Sequence, residues 1–285
     1  MRIVRDVDGL APFFRGVFVP TMGALHAGHE ALIRRARVLA DGCSPRRPVV
    51  VSVFVNPTQF NEKKDFDTYP RDLDTDAVLA ASAGADCVFA PPSDVIYPPP
   101  PAPPIPVPPL PRVAAAPGLE DKHRPSHFAG VCQVCKRLFD LVRPSVAVFG
   151  EKDWQQLKVI EALVASEFPD ESLRIASHPI VREPDGLAMS SRNVRLSPAE
   201  RRRALAICRA LVEAGRHSDP SKAEQAARVV LMANRLQVEY AAVRDARTLE
   251  SPRPDRPARV LIAAWAGGTR LIDNAPWPGF DLASA

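Results

Sequence analysis

The chain has little of what staples, anchors or strongly charges a protein. It carries five cysteines in 285 residues, at positions 43, 87, 132, 135 and 208. An odd, scattered set argues against a disulfide framework and fits the reduced thiols of a cytoplasmic protein. No apolar run approaches the ~20 residues of a membrane span. The opening Met1-Arg2-Ile3-Val4-Arg5-Asp6 lacks the apolar stretch of a secretory signal. Charge of either sign is nearly balanced, with 37 basic and 33 acidic residues and a net +4, too weak a bias for a nucleic-acid partner. What remains is a chain long enough for two domains or one large α/β unit, with 46% hydrophobic residues to build a core.

Proline is in excess, with 31 copies in the chain, and is most crowded between positions 98 and 111. That segment excludes helix and central strand and is expected to be extended. A stiff surface loop accounts for it better than a ligand for a proline-recognising module.

The most informative stretch is Pro20-Thr21-Met22-Gly23-Ala24-Leu25-His26-Ala27-Gly28-His29. A short strand-like run, Val17-Phe18-Val19, precedes it. Apolar positions at helical spacing (Leu32, Ile33, Ala36, Leu39, Ala40) follow it. Two glycines and two histidines therefore fill a strand-to-helix turn. A helix N-terminus has unpaired N–H groups and a partial positive charge, which together suit a phosphate. The glycine spacing mimics the start of a Walker A loop, but His29 and Glu30 stand where lysine and a hydroxyl are needed. The two histidines also have the spacing of a metal pair, though a zinc site needs a third ligand. Each histidine alone reads as structural; together at this turn they favour phosphate binding.

Further strands are expected at residues 49–55, 86–89, 146–149 and 174–176, alternating with helices near 73–83, 131–142 and 155–166. Such alternation implies a parallel sheet with helices on both faces and ligands beyond the carboxyl ends of its strands. The polar motifs follow strands: the opening turn, Asn56-Pro57-Thr58-Gln59-Phe60, and Gly150-Glu151-Lys152-Asp153. Lys152 offers an ammonium to a phosphate. Neutral amides at Asn56 and Gln59 suit a substrate hydroxyl or carboxylate. Met189-Ser190-Ser191-Arg192 supplies two hydroxyls and a guanidinium for phosphate oxygens. Cys132 and Cys135, at i and i+3 in an apolar helix, read as buried fillers.

Beyond residue 180 the pattern changes. A helix over 197–215, capped by Ser197 with Glu200 three residues on, precedes a second over 221–234 and strands at 238–243 and 259–265. The expected organisation is a nucleotide-binding domain over 1–180 and a smaller α+β domain over 181–285.

The collinear set resembles the pantothenate synthetases, or pantoate–β-alanine ligases. It comprises the 20–29 turn, Phe54-Val55-Asn56-Pro57-Thr58-Gln59-Phe60, Tyr69-Pro70-Arg71, His127-Phe128-Ala129-Gly130-Val131, residues 149–157, the block 182–193, and Arg270-Leu271-Ile272-Asp273-Asn274. The H-x-G-H pattern alone marks only a nucleotidyltransferase superfamily; the 150–156 and 182–193 blocks narrow it. The resemblance implies a Rossmann-like doubly wound sheet with a smaller C-terminal lid domain, in a cytoplasmic homodimer. It implies that ATP, with Mg²⁺, drives the joining of pantoate to β-alanine through a pantoyl adenylate, releasing AMP and pyrophosphate. By the same resemblance, ATP is held by Met22, Gly23, Ala24, Leu25, His26, Ala27, Gly28, His29, Gly150, Glu151, Lys152, Asp153, Val181, Met189, Ser190, Ser191 and Arg192. His29, His26, Lys152 and Arg192 carry the chemistry, with His29 as proton donor. Gln59 contacts pantoate and β-alanine, and Gln156 contacts pantoate. The family commonly has glycine where this chain has Ser126, so a backbone of positive φ there would be strained.

Overall fold

The computed structural model describes residues 1–60, 66–170 and 172–281. The chain divides into two compact units. The first comprises Met1–Glu151 and Val159–His178; the second comprises Lys152–Lys158 and Pro179–Ala285.

The first unit is built on β1 (Arg2–Val4), β2 (Val17–Thr21), β3 (Val49–Val53), β4 (Cys87–Phe89), β5 (Val146–Gly150) and β6 (Arg174–His178). Every pairing is parallel, in the order β1-β4-β3-β2-β5-β6. The β-branched runs in β2 and β3 are buried on both faces, as a sheet covered on both sides requires. Val17, Val19, Val49 and Val51 pack with Ile33, Ala36 and Ala40 of helix α1 (Ala27–Asp41). Burying Ile33 completely contributes about 1.5–3 kcal/mol. Phe18, one residue out of phase, meets Phe139 of helix α3 (His127–Val142) edge to face, with ring centroids 6.3 Å apart. Helix α2 (Leu73–Ser82) links β3 to β4, and helix α4 (Trp154–Glu167) follows β5.

From β2 the chain steps through β3 to β4 on one side, then returns to β5 and β6 on the other. The order reverses between β2 and β5, where doubly wound sheets open a ligand crevice at the strands' carboxyl ends. The opening turn leaves β2 there, and Gly150 and Glu151 leave β5 there.

The second unit is α+β. Its antiparallel sheet has the order β7 (Gln237–Asp245), β8 (Ala258–Ala266), β9 (Thr269–Trp277). Helices α5 (Pro198–Ala204), α6 (Ala206–Gly215) and α7 (Pro220–Ala233) complete it. Ile207, Leu211 and Leu231 form a core with Val260 and Ile262.

Four local readings change. β1 and β9 were not foreseen. The single helix expected over 197–215 is two, interrupted at Leu205, where ψ is −17°. Ser126 has φ −94°, so no positive φ exists there for serine to strain. The proline-rich segment, expected to be extended throughout, turns at residues 99–102, where Ala102 N donates to the Pro99 carbonyl at 3.2 Å, and again in a short 3₁₀ turn, Arg112–Ala114. The Gln133 side chain on α3 donates to the Ile105 carbonyl within it, at 2.6 Å.

Candidate active site

Three features shape the opening turn in the first unit. Thr21 Oγ1 donates to the Ser52 carbonyl at 2.6 Å and accepts from Gly23 N at 3.2 Å, which ends β2. Gly23 and Ala24 then adopt positive φ, +81° and +50°, reversing the chain. A Cβ at Gly23 would lie 2.7 Å from Asp76 Oδ2, so glycine is needed both for the φ and for that approach. Asp76 on α2, 2% exposed, accepts from Ala24 N at 3.0 Å and from Leu25 N at 2.7 Å. Burial raises its carboxyl pKa above the ordinary value, against the lowering effect of the two N–H donors.

His26 is the N-cap of α1. Its Nδ1 accepts from Gly28 N at 3.1 Å, and its own N–H donates to His29 Nδ1 at 3.3 Å. Both Nδ1 atoms act as acceptors, so the ring proton of each neutral imidazole belongs on Nε2. The rings lie 4.2 Å apart, tilted by 44°. The turn therefore presents a pair of imidazole N–H donors at a helix N-terminus, where the partial charge is positive. Of the two roles the sequence left open, metal pair or phosphate binder, this tautomer assignment favours the donor role.

Beside it, the chain after β3 builds an amide cluster. Gln59 Nε2 donates to Met22 Sδ at 2.9 Å, and Asn56 Nδ2 donates to Gln59 Oε1 at 3.2 Å. Asn56 is 1% exposed and saturated by the protein: Nδ2 also reaches the Gly130 carbonyl, and Oδ1 accepts from Tyr97 at 2.8 Å and from Thr58. Burial raises the Tyr97 phenol pKa, so it remains a donor. Gly130 lets α3 approach, since a Cβ there would sit 2.5 Å from the Thr58 carbonyl. His127, 5% exposed, lies between Arg124 Nη1 at 3.2 Å and the Gln59 carbonyl at 3.1 Å. Arginine only donates, so His127 carries its proton on Nδ1 and donates it to Gln59.

Lys152, Asp153, Gln156, Val181, Met189, Ser190, Ser191 and Arg192 belong to the second unit. Lys152 lies in the 3₁₀ turn Glu151–Asp153, with Nζ 3.4 Å from Asp153 Oδ2. Its carbonyl accepts from Asn274 Nδ2 at 2.9 Å, and Asn274 Oδ1 accepts from Arg259 Nε at 2.7 Å. The Arg259 guanidinium stacks 3.8 Å over the Trp154 ring, whose indole N–H donates to the Ala246 carbonyl. These contacts fix the start of α4 on the β8–β9 sheet. Gln155 is 3% exposed, whereas Gln156 is half-buried.

The 182–193 block folds as a hairpin. Met189 N donates to the Val181 carbonyl and Glu183 N to the Leu187 carbonyl, with an isolated bridge between Arg182 and Ala188. Arg182 pairs with buried Asp273 on β9 through two bonds, at 2.7 and 3.1 Å. Burial disfavours the guanidinium charge, but the Asp273 charge and hydrogen bonds outweigh it and raise the Arg182 pKa. Arg201 bridges Glu183 and Asp185, both at 2.6 Å. The hairpin thereby carries Ser190 and Arg192 into a small recess that Lys152, Arg270 and Asp273 also line.

Sequence reasoning missed Asp76 and Tyr97, which carry no motif of their own and are recognisable only by what they bond to. Arg182 and Asp273 lie in quoted motifs, but their pairing with each other was not read from them.

A family model described as pantoate-beta-alanine ligase matches residues 2–276. The chain belongs to that family. Pantoate–β-alanine ligase relatives named pantothenate synthetase include that of Thioalkalivibrio sulfidiphilus, 47% identical over 92% of this chain and 90% of the relative. That of Rubrobacter xylanophilus is 46% identical over 98% of each. The pantothenate synthetase structure from Thermus thermophilus superposes with a TM-score of 0.85, at 40% identity, covering 98% of this chain and all of the other. The Francisella tularensis ligase, solved with β,γ-ATP and β-alanine, superposes with a TM-score of 0.75 at 32% identity over 97% of each chain. The family assignment makes the chain a ligase, and its doubly wound sheet with a small antiparallel sheet is the fold expected of one.

Proposed function

We propose that this chain condenses pantoate with β-alanine in two steps, each driven by ATP chemistry. A carboxylate is a poor acyl donor because its leaving group would be oxide. A pantoate carboxylate oxygen attacks the α-phosphorus of ATP, the bond to the β-phosphate oxygen breaks, and pyrophosphate leaves. The β-alanine amine then attacks the acyl carbon of the adenylate. The carbon–oxygen bond breaks, AMP leaves with the bonding pair, and the amine loses a proton. No protein nucleophile is required.

Negative charge grows on the α-phosphate and the departing oxygens, so preorganised donors lower the barrier most. The observation that carries this reading is the pair of imidazoles at the N-terminus of α1, each with Nδ1 engaged by a backbone N–H. Their Nε2–H groups are donors that need no reorganisation as charge develops. We assign His29 and His26 to that role, with Lys152, Arg192, Ser190 and Ser191 as further phosphate donors. Met22, Gly23, Ala24, Leu25, Ala27, Gly28, Gly150, Glu151, Asp153, Val181 and Met189 form the remaining ATP contacts. Gln59 and Gln156 hold pantoate, Gln59 also β-alanine, and Asn56 orients Gln59. The smaller domain, taken as 181–285, acts as the lid that keeps water from the adenylate. The enzyme works in the cytoplasm as a homodimer.

Among the described residues, no three His, Cys, Asp or Glu side chains gather as a metal-ligand set. We take the Mg²⁺ to arrive on the ATP phosphates, as this ion is commonly bound through substrate phosphates.

The test incubates purified protein with ATP, Mg²⁺ and pantoate, with and without β-alanine. AMP and pantothenate should accumulate together and only when β-alanine is present; no β-alanine-dependent AMP would sink the assignment. In the same assay, His29→Ala should lower kcat by about 10²–10³-fold. Its ATP dissociation constant should stay within about 3-fold of wild type, whereas equal losses would make His29 a ground-state binder.

A further inference from the structure

Asp76 lies on α2, a helix the proposed chemistry does not use, yet its carboxylate faces the opening turn. It is 2% exposed, and its two oxygens divide between two consecutive backbone donors, Ala24 N and Leu25 N. Those amides sit where the chain is least comfortable: Gly23 and Ala24 both have positive φ, and Ala24 lacks glycine's freedom there. A backbone in that region persists only when its surroundings over-determine it. Leu25 is followed at once by the His26 N-cap, whose ring and backbone set the hydrogen bonds that place the proton of both imidazoles.

We propose that Asp76 is the positioning residue of the histidine turn: its carboxylate clamps the Gly23–Ala24 reversal and so holds His26 and His29 as Nε2–H donors toward the phosphate being transferred. The phosphate as the target of these donors rests on the adenylate-forming reading; the clamp itself does not. Asp76 touches no reacting atom; it acts through the turn. A carboxylate is the group this geometry requires, because it accepts at both oxygens. An asparagine amide of the same shape accepts at one and sets an N–H against an N–H at the other.

The decisive variant is Asp76→Asn in the full chain, read by two measurements. Steady-state kinetics should show kcat lower by about 10- to 100-fold, as misplacement of a reacting group by ~1 Å produces. The KM for β-alanine should stay within about 2-fold. Imidazole ¹⁵N spectra should show His26 and His29 as the Nε2–H tautomer in the wild type and as a mixture in the variant. A merely structural role would lower the melting temperature while leaving kcat per folded molecule and the tautomer unchanged, and that outcome overturns the proposal. Should Asp76→Asn fail to fold, Asp76→Glu keeps the charge but displaces both oxygens by a methylene. Reduced kcat with a shifted tautomer supports the clamp, and wild-type values for both overturn it. If the wild type itself makes no AMP, the adenylate reading fails, while the imidazole spectra still decide the clamp.

Discussion

Tyr97 shows how a single side chain without a motif can govern a residue that has one. Its hydroxyl donates to Asn56 Oδ1 at 2.8 Å, and Asn56 in turn donates to Gln59 Oε1, which leaves the Gln59 amide nitrogen toward Met22. Without the phenol, Asn56 keeps only Thr58 at that oxygen and its amide is less firmly oriented. Tyr97→Phe removes one buried neutral hydrogen bond, about 0.5–1.5 kcal/mol net. If Gln59 grips pantoate as proposed, the KM for pantoate should rise about 3- to 10-fold while the KM for ATP stays put. A matching rise in both would detach Tyr97 from the amide cluster. The same residue marks what the sequence could reveal of the candidate site. His26, His29, Asn56, Gln59 and Ser190–Arg192 were legible because they lie in contiguous motifs after strands or before a helix. Tyr97 and Asp76 were not, because their partners are 41 and 51–52 residues away and only the fold brings them together.

At the scale of elements, α5 carries the most explicit local instruction in the chain. Ser197 Oγ accepts from Glu200 N at 3.3 Å, while Glu200 Oε2 accepts from Ser197 N at 2.9 Å and from its hydroxyl at 2.7 Å. This reciprocal box was readable from Ser197-Pro198-Ala199-Glu200 alone. Ser197→Ala should destabilise the protein by about 1 kcal/mol at neutral pH, seen as a lower urea midpoint. The Ser197 hydroxyl and N–H hold the Glu200 carboxyl below its ordinary 4.5. A depressed carboxylate stabilises above the unfolded value and loses that contribution as pH falls through the lowered one. The gap between wild type and variant should therefore narrow in acid, and a constant gap down to pH 3 would show that the box does not act. β9 is the contrasting case. Thr269–Trp277 includes Arg270, Asp273, Asn274 and Pro276, a pattern too polar to read as a strand. Those polar groups are buried by pairing: Asp273 with Arg182, Asn274 with Arg259 and the Lys152 carbonyl. β1 escaped for a different reason, since only Val4 of its three residues is buried, whereas all three residues of the equally short β4 are.

At the scale of the whole molecule, the doubly wound class was legible because strands buried on both faces are written as nearly continuous β-branched runs. Each unit then closes its own core. The cysteines report on both cores at once. Cys87 lies in the sheet of the first unit, Cys132 and Cys135 on α3, and Cys208 in the second unit; all four are buried, and Cys43 alone is half-buried. Desolvation pushes the thiols of Cys87, Cys132 and Cys208 up to about 12, and Cys135 is raised by the same cause. At pH 8 a thiol with a pKa near 12 is thiolate in only about one molecule in ten thousand, and the thiolate is the reactive form. An aromatic disulfide reagent should therefore consume one equivalent of the native protein quickly, at Cys43, and the other four only as the cores open in guanidinium. Cys43→Ser should abolish the fast equivalent. Because the four slow thiols are spread over both units, their release against denaturant follows each core separately: Cys208 reports the second unit, and Cys87, Cys132 and Cys135 the first. Two or more fast equivalents in the native protein would mean that at least one of these cores admits solvent in a way the burial of Cys87, Cys132, Cys135 and Cys208 does not allow.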